Sequence, residues 1–144
     1  MLCTGTNGTV NPINVEAAIY KKIMVKPFEL SEPDVVIDRE ISLKEFGVDG
    51  RIRFTPGHTK GSISILFGNY EAIVGDVMMG GIMSGNLFGS RPTYHYFFDD
   101  FDAIKSSIQK IIEMKPWKVH VGHGGPLLME DVIRRFEIET AKEK

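Results

Sequence analysis

Apolar and polar positions alternate through Arg51-Ile-Arg-Phe-Thr55 and Ser62-Ile-Ser-Ile-Leu-Phe67, and an apolar run fills Glu71-Ala-Ile-Val-Gly75. A period of two sends successive side chains to opposite faces, so these segments read as strands. Gly68-Asn69 supplies a turn that makes the last two a hairpin. Upstream, Val35-Val-Ile37 and Glu40-Ile-Ser-Leu43 predict an extended pair, with Gly47 and Asp49-Gly50 as turns before the next strand. Alternation returns once more at Trp117-Lys-Val-His-Val121.

Between these segments the period lengthens. Phe101, Ile104, Ile108 and Ile111 recur at steps of three and four, Asp99 or Asp100 is placed to cap their helix, and Pro116 ends it. Gly122–Pro126 forms a tight loop, after which Leu128, Val132 and Phe136 mark one face of a last helix. Met78–Arg91 has no clean period and is too long for a simple connector, which predicts a lid or a loop bordering a site. The lead segment, residues 1–33, opens on Cys3-Thr-Gly-Thr-Asn-Gly-Thr9, and within it Val15–Met24 reads as either a short helix or an ordered insertion. The expected architecture is a single α/β domain: a lead segment over 1–33 and a core over 34–144, with helices covering one face of a mainly antiparallel or mixed sheet.

Composition leaves that picture in place and narrows the function. A chain of 144 residues, 42% hydrophobic and 25% charged, has the make-up of one ordinary globular domain. Its net charge of −2 leaves no broad basic field to attract phosphate backbones, so nucleic acid and membrane surfaces are disfavoured as partners. Met1–Val10 lacks the pattern of a signal peptide, and no apolar run has the length of a membrane span. With Cys3 alone, neither an intrachain disulfide nor a cysteine zinc cluster can form, and a reducing, cytoplasmic setting is expected.

Three polar residues fall where strands end: His58 in Thr55-Pro-Gly-His-Thr-Lys-Gly61, Asp76 directly after Gly75, and His123 in Val121-Gly-His-Gly-Gly-Pro126. A strand end is held firmly by the sheet yet open at its rim, where α/β folds place ligand groups. Imidazole and carboxylate suit Zn²⁺ or Fe²⁺. By spacing alone each histidine reads more readily as a structural residue bonding a nearby carbonyl than as a ligand, and Asp76 can cap the following turn.

In context, Thr-Pro-Gly-His58-Thr-Lys-Gly-Ser, then Val-Gly-Asp76, then Gly-His123-Gly-Gly-Pro resembles the last three metal motifs of the metallo-β-lactamase superfamily, in order and separation. The likeness covers about Val35 to Ala141 and implies half of that family's αββα sandwich. It further implies that His58 binds one metal, His123 another, and Asp76 bridges the two and acts catalytically. The complete family site carries two ions, usually zinc, with iron or manganese as alternatives. Such ions polarise a substrate and generate a hydroxide near neutral pH, which attacks an ester, thioester, lactone or related bond.

The chain also departs from that pattern. The family's amino-terminal half contributes a His-x-His-x-Asp-His cluster, but the four histidines here stand at 58, 95, 120 and 123, with no His-x-His pair. A catalytic zinc usually takes three protein ligands and an open position, so these motifs alone do not complete a binuclear centre and metal binding by the isolated chain is expected to be weak or absent. Val119 and Val121 alternate with His120, which places it on the opposite face from both valines. His95, in Thr93-Tyr-His-Tyr-Phe-Phe98, follows the long glycine-rich stretch and is a candidate substrate contact, with aromatic packing as the alternative; Arg91 and Lys60 are candidates to attract an anionic substrate. With only one sheet's worth of strands, Ile63, Ile65, Phe67, Ile73 and Val119 are expected to lack a covering layer. The chain is therefore expected to form a homodimer or to pair with a missing amino-terminal half. A non-catalytic, partner-binding remnant of the same fold is the competing reading.

Overall fold

The computed structural model describes residues 11–12, 18, 36–37 and 39–142, with side chains through Glu137. In chain order the elements are β1 (Asn11–Pro12), β2 (Ile41–Ser42), a 3₁₀ turn (Lys44–Phe46), β3 (Gly50–Phe54), β4 (Ile63–Phe67), β5 (Glu71–Gly75) and β6 (Met79–Ile82). There follow β7 (Leu87–Thr93), β8 (Phe97–Phe98), α1 (Phe101–Glu113), β9 (Lys118–Val121), β10 (Leu127–Leu128) and α2 (Met129–Lys142). Of Val15–Met24 only Ala18 is described, in helical conformation; the rest of that segment lies outside the described residues.

Six strands form one mixed sheet in the order β10-β9-β5-β4-β3-β2. All its pairings are antiparallel except β5 with β9, where Ala72 lies beside Val119 and Ile73 beside His120. A parallel pair needs a crossover, and α1 lies in the connection. Asp100 caps α1 by accepting a hydrogen bond from the Ala103 N–H at 3.0 Å.

The core lies between the helices and one face of this sheet. Leu66, Ala72, Val74, Val119 and Leu127 meet Ile104, Ile108 and Ile111 of α1 and Val132 and Phe136 of α2, all buried. The other face is bare by comparison: Ile73 is 45% and Phe54 39% exposed, and Ile63, Ile65 and Phe67 are half-buried. Val119 departs from expectation, being 0% exposed, because its register with Ala72 turns it under the helices. His120 points to the open face, opposite its neighbouring valine, and bonds Glu71 at 2.6 Å. That bond, with Lys118 nearby, holds the half-buried Glu71 carboxyl below its ordinary pKa.

Three local expectations are corrected. Met78–Arg91 is an antiparallel hairpin and not an irregular loop: β6 and β7 pair through Met79 with Thr93 and Ile82 with Leu87, with a register shift between. Positive φ at Met83, Ser84 and Phe88, beside Gly81 and Gly85, breaks the alternation by which a hairpin is recognised. Leu128 belongs to β10, paired with Lys118, and not to the last helix. Val36 and Ile37 are in no strand, and Ile41–Ser42 pairs instead with β3.

Candidate metal centre

His58 stands in a loop tied at three points. The Thr55 hydroxyl meets that of Ser64 at 2.8 Å, the Ser107 hydroxyl of α1 donates to the Pro56 carbonyl at 2.7 Å, and the Asp99 N–H donates to the Gly57 carbonyl at 2.8 Å. The loop is thereby fixed to the first turns of α1. The His58 ring donates from Nδ1 to the Phe97 carbonyl at 2.8 Å. A carbonyl only accepts, so the neutral ring carries its proton on Nδ1 and presents Nε2 as a lone pair. That Nε2 lies 3.9 Å from Asp76 Oδ2.

Asp76 follows β5 directly and stands against the end of β9, where the Gly122 N–H donates to the Gly75 carbonyl at 3.0 Å. A Cβ on Gly122 would come within 2.3 Å of Asp76 Oδ1, so a side chain there would displace the carboxylate from this position. Across this gap His123 Nδ1 meets Asp76 Oδ1 at 2.8 Å. The His123 loop is itself laced to the hairpin, since the Gly80 N–H donates to the His123 carbonyl and the Gly125 N–H to the Gly89 carbonyl, both at 2.8 Å. The hairpin thus borders the site, as a built wall.

The structure brings His58, Asp76 and His123 together and adds a fourth member. His95, only 7% exposed, turns its Nε2 to 3.8 Å from Asp76 Oδ1, and its ring centroid lies 4.5 Å from that of His58 and 5.2 Å from that of His123. It lies within the site and not solely in the aromatic packing. Ligand atoms of Asp76, His95 and His123 all lie within 4.8 Å of one another. Tyr94 packs on Phe101 and Phe136 while His95, in the irregular segment between β7 and β8, turns to the site, and no sequence period marks that turn. Arg91 is exposed and stacked on Phe88 at 4.7 Å, Lys60 is exposed, and His120 is on the far face; the structure records no contact between any of the three and Asp76.

Burial pushes the His95 pKa down to about 4, against the opposing pull of Asp76. The unfolded chain therefore binds more protons than the folded one between pH 6.5 and about 4, and stability rises with pH across that window. The contribution is fully present above pH 6.5 and amounts to about 3 kcal/mol, lost as pH falls to 4. Urea denaturation of the metal-free chain at pH 7 and pH 4 is expected to show that difference, and His95→Phe is expected to flatten it. An unchanged slope in the variant would refute the assignment.

The donor set of three imidazoles and one carboxylate fits a divalent transition metal of the zinc or iron kind. It does not supply the ligands for two such ions. Neither a family model nor a curated protein matches the chain. Solved structures do match. A metallo-β-lactamase superfamily protein from the archaeon Sulfolobus tokodaii is 19% identical, with TM-score 0.54 over 88% of this chain and 48% of its own. TTHA1623, solved in a di-iron-bound form, is 17% identical, with TM-score 0.56 over 83% of this chain and 55% of its own. The BLEG-1 B3 metallo-β-lactamase is 17% identical, with TM-score 0.55 over 90% of this chain and 59% of its own. The chain therefore has the fold of part of a metallo-β-lactamase domain and spans about half the length of these structures. No described helix is long and apolar enough to cross a membrane.

Proposed function

We propose that this chain is the carboxy-terminal, metal-binding part of a metallo-β-lactamase-superfamily hydrolase that acts on an ester, thioester, lactone or related bond of a small molecule. The observation that carries the reading is the convergence of His58, His95 and His123 on Asp76 at the rim of the sheet. When bound, zinc or iron supplies Lewis-acid polarisation of the scissile group and lowers the pKa of water towards neutrality. Asp76 orients the attacking water and holds its proton, with Oδ1 anchored by His123. His58 is held in the tautomer that offers Nε2.

The remaining ligands of a binuclear centre come from an amino-terminal half seated on the open sheet face, where Ile73 and Phe54 are exposed. The test mixes the chain with such a half and assays a thioester and lactone panel in added zinc or iron. Turnover is expected only in the mixture, and Ile73→Lys is expected to leave the isolated chain folded while abolishing recombination. Absence of turnover in a stable recombined complex favours the non-catalytic, partner-binding reading, and a homodimer in light scattering would show a second copy covering the face instead.

A further inference from the structure

The family pattern assigns no ligand to the segment between Asp76 and His123, yet His95 lies there, buried and directed at the same carboxylate. We propose that this chain binds one divalent transition-metal ion by itself, with Nε2 of His95 as a ligand beside Asp76 and His123, and with His58 approaching Asp76 from the other carboxylate oxygen. The inference rests on the metal-site part of the preceding reading and not on hydrolysis.

Four-coordinate zinc holds its nitrogen and oxygen ligands at about 2.0–2.2 Å, which sets them about 3.3 Å apart. Around Asp76 the separations straddle that value: 2.8 Å to His123, 3.8 Å to His95 and 3.9 Å to His58. Relative to Asp76 the latter two close by about half an ångström, and the ligand atoms of Asp76, His95 and His123, all within 4.8 Å of one another, draw together around an ion. When an ion takes the place of the proton now shared between His123 Nδ1 and Asp76 Oδ1, the neutral His123 ring carries its proton on Nε2 instead.

The surroundings of His95 are compatible with either tautomer. Its Nδ1 lies 3.2 Å from the Phe97 N–H and 3.4 Å from the Phe97 carbonyl. With Nδ1 protonated it donates to that carbonyl and frees Nε2 towards Asp76. The same carbonyl accepts from His58, so one backbone oxygen at β8 orients two rings, the usual work of groups behind metal-ligating histidines. Burial also gives His95 little alternative, because its hidden ring faces a carboxylate and two other imidazoles. His123 and Asp76 alone make a weak site, whereas His95 beside them supplies the third protein ligand of a four-coordinate ion with one open position.

The test uses the metal-free 144-residue chain, titrated with Co²⁺ at neutral pH. One equivalent is expected to saturate the visible d–d absorption of a four-coordinate ion, and Zn²⁺ is expected to displace it. His95→Phe keeps a buried ring and is expected to weaken binding at least ~100-fold, beyond what removal of a supporting group costs, while His120→Ala binds as the wild type does. In the zinc-loaded wild type, ¹H–¹⁵N correlation of the imidazoles is expected to show Nε2 of His95 metal-bound, and this spectrum decides alone if His95→Phe does not fold. Wild-type affinity in a folded His95→Phe, or a His95 ring spectrum unchanged by zinc, overturns the proposal. Metal binding that depends on His95, with no turnover in the recombined protein, would retain this site and refute the hydrolase reading alone.

Discussion

Asp76→Asn is expected to weaken Zn²⁺ or Co²⁺ binding by at least ~100-fold, equivalent to about 2.7 kcal/mol, while the metal-free chain changes stability by less than ~1 kcal/mol. The two halves of that expectation have separate causes. Asparagine keeps the shape of the side chain, and its Oδ1 still accepts from His123 Nδ1, the 2.8 Å contact that holds the strand ends together. What disappears is the negative charge that each of the three imidazoles faces and the anionic oxygen an ion would share among them. The consequence is readable in a melt. At metal concentrations about 100 times the wild-type dissociation constant, binding stabilises the native state by about 2.7 kcal/mol. For a chain of this length that raises the midpoint by roughly 8 °C, a rise Asp76→Asn should not show. In the recombined protein the same substitution is expected to lower turnover by about 10²- to 10⁴-fold, the usual worth of a positioned proton acceptor. A variant that binds metal within about threefold of the wild type would remove Asp76 from the centre of the site.

How far the sequence reaches is visible at particular residues. Alternation located β3 and β4, and an apolar run β5, within a residue or two, β4 and β5 having one face on the core, and the helical period located α1 because Ile104, Ile108 and Ile111 fall on its buried stripe. Alternation says that a strand has two faces but not which is covered. Val119 shows this: its parallel register with β5, set across an entire helical crossover, turns it under α1 and α2. The β6–β7 hairpin was hidden for a different reason, since left-handed backbone at Met83, Ser84 and Phe88 is imposed by packing and leaves no mark on residue type. At the site, His58, Asp76 and His123 could be named as candidates because the motifs around them resemble a family pattern, their strand-end positions alone leaving structural roles open. His95 could not be placed with them, because its aromatic neighbours suggest packing and its approach to Asp76 is created by the wall of the hairpin and the bend into β8.

The two glycines of Pro-Gly-His-Thr-Lys-Gly are expected to respond oppositely to alanine. Gly57 has φ of +138°, and a Cβ there would lie 2.5 Å from the Ile104 backbone nitrogen and 2.7 Å from its Cγ1. The obstacle is helix backbone, which cannot swing aside as a side-chain tip can, and the loop is held to that helix by the bonds of Gly57 with Asp99 and of Pro56 with Ser107. Backbone strain of about 1–3 kcal/mol adds to overlap of similar size. Gly57→Ala should therefore cost about 4 kcal/mol, a large part of the roughly 5–15 kcal/mol that holds an ordinary domain folded. At Gly61, by contrast, an added methyl group would meet nothing within 4 Å and the backbone has no positive φ, so Gly61→Ala should stay within about 1 kcal/mol of the wild type. Urea midpoints of the two variants test this directly, and equal midpoints would be fatal to it. The site provides a second readout, because any relief of the Gly57 clash must part the His58 loop from α1. Among molecules that remain folded, Gly57→Ala is then expected to weaken metal binding as well, whereas Gly61→Ala leaves it unchanged. The motif's first glycine is thus the point where the packing of a helix and the position of the His58 ring become one constraint.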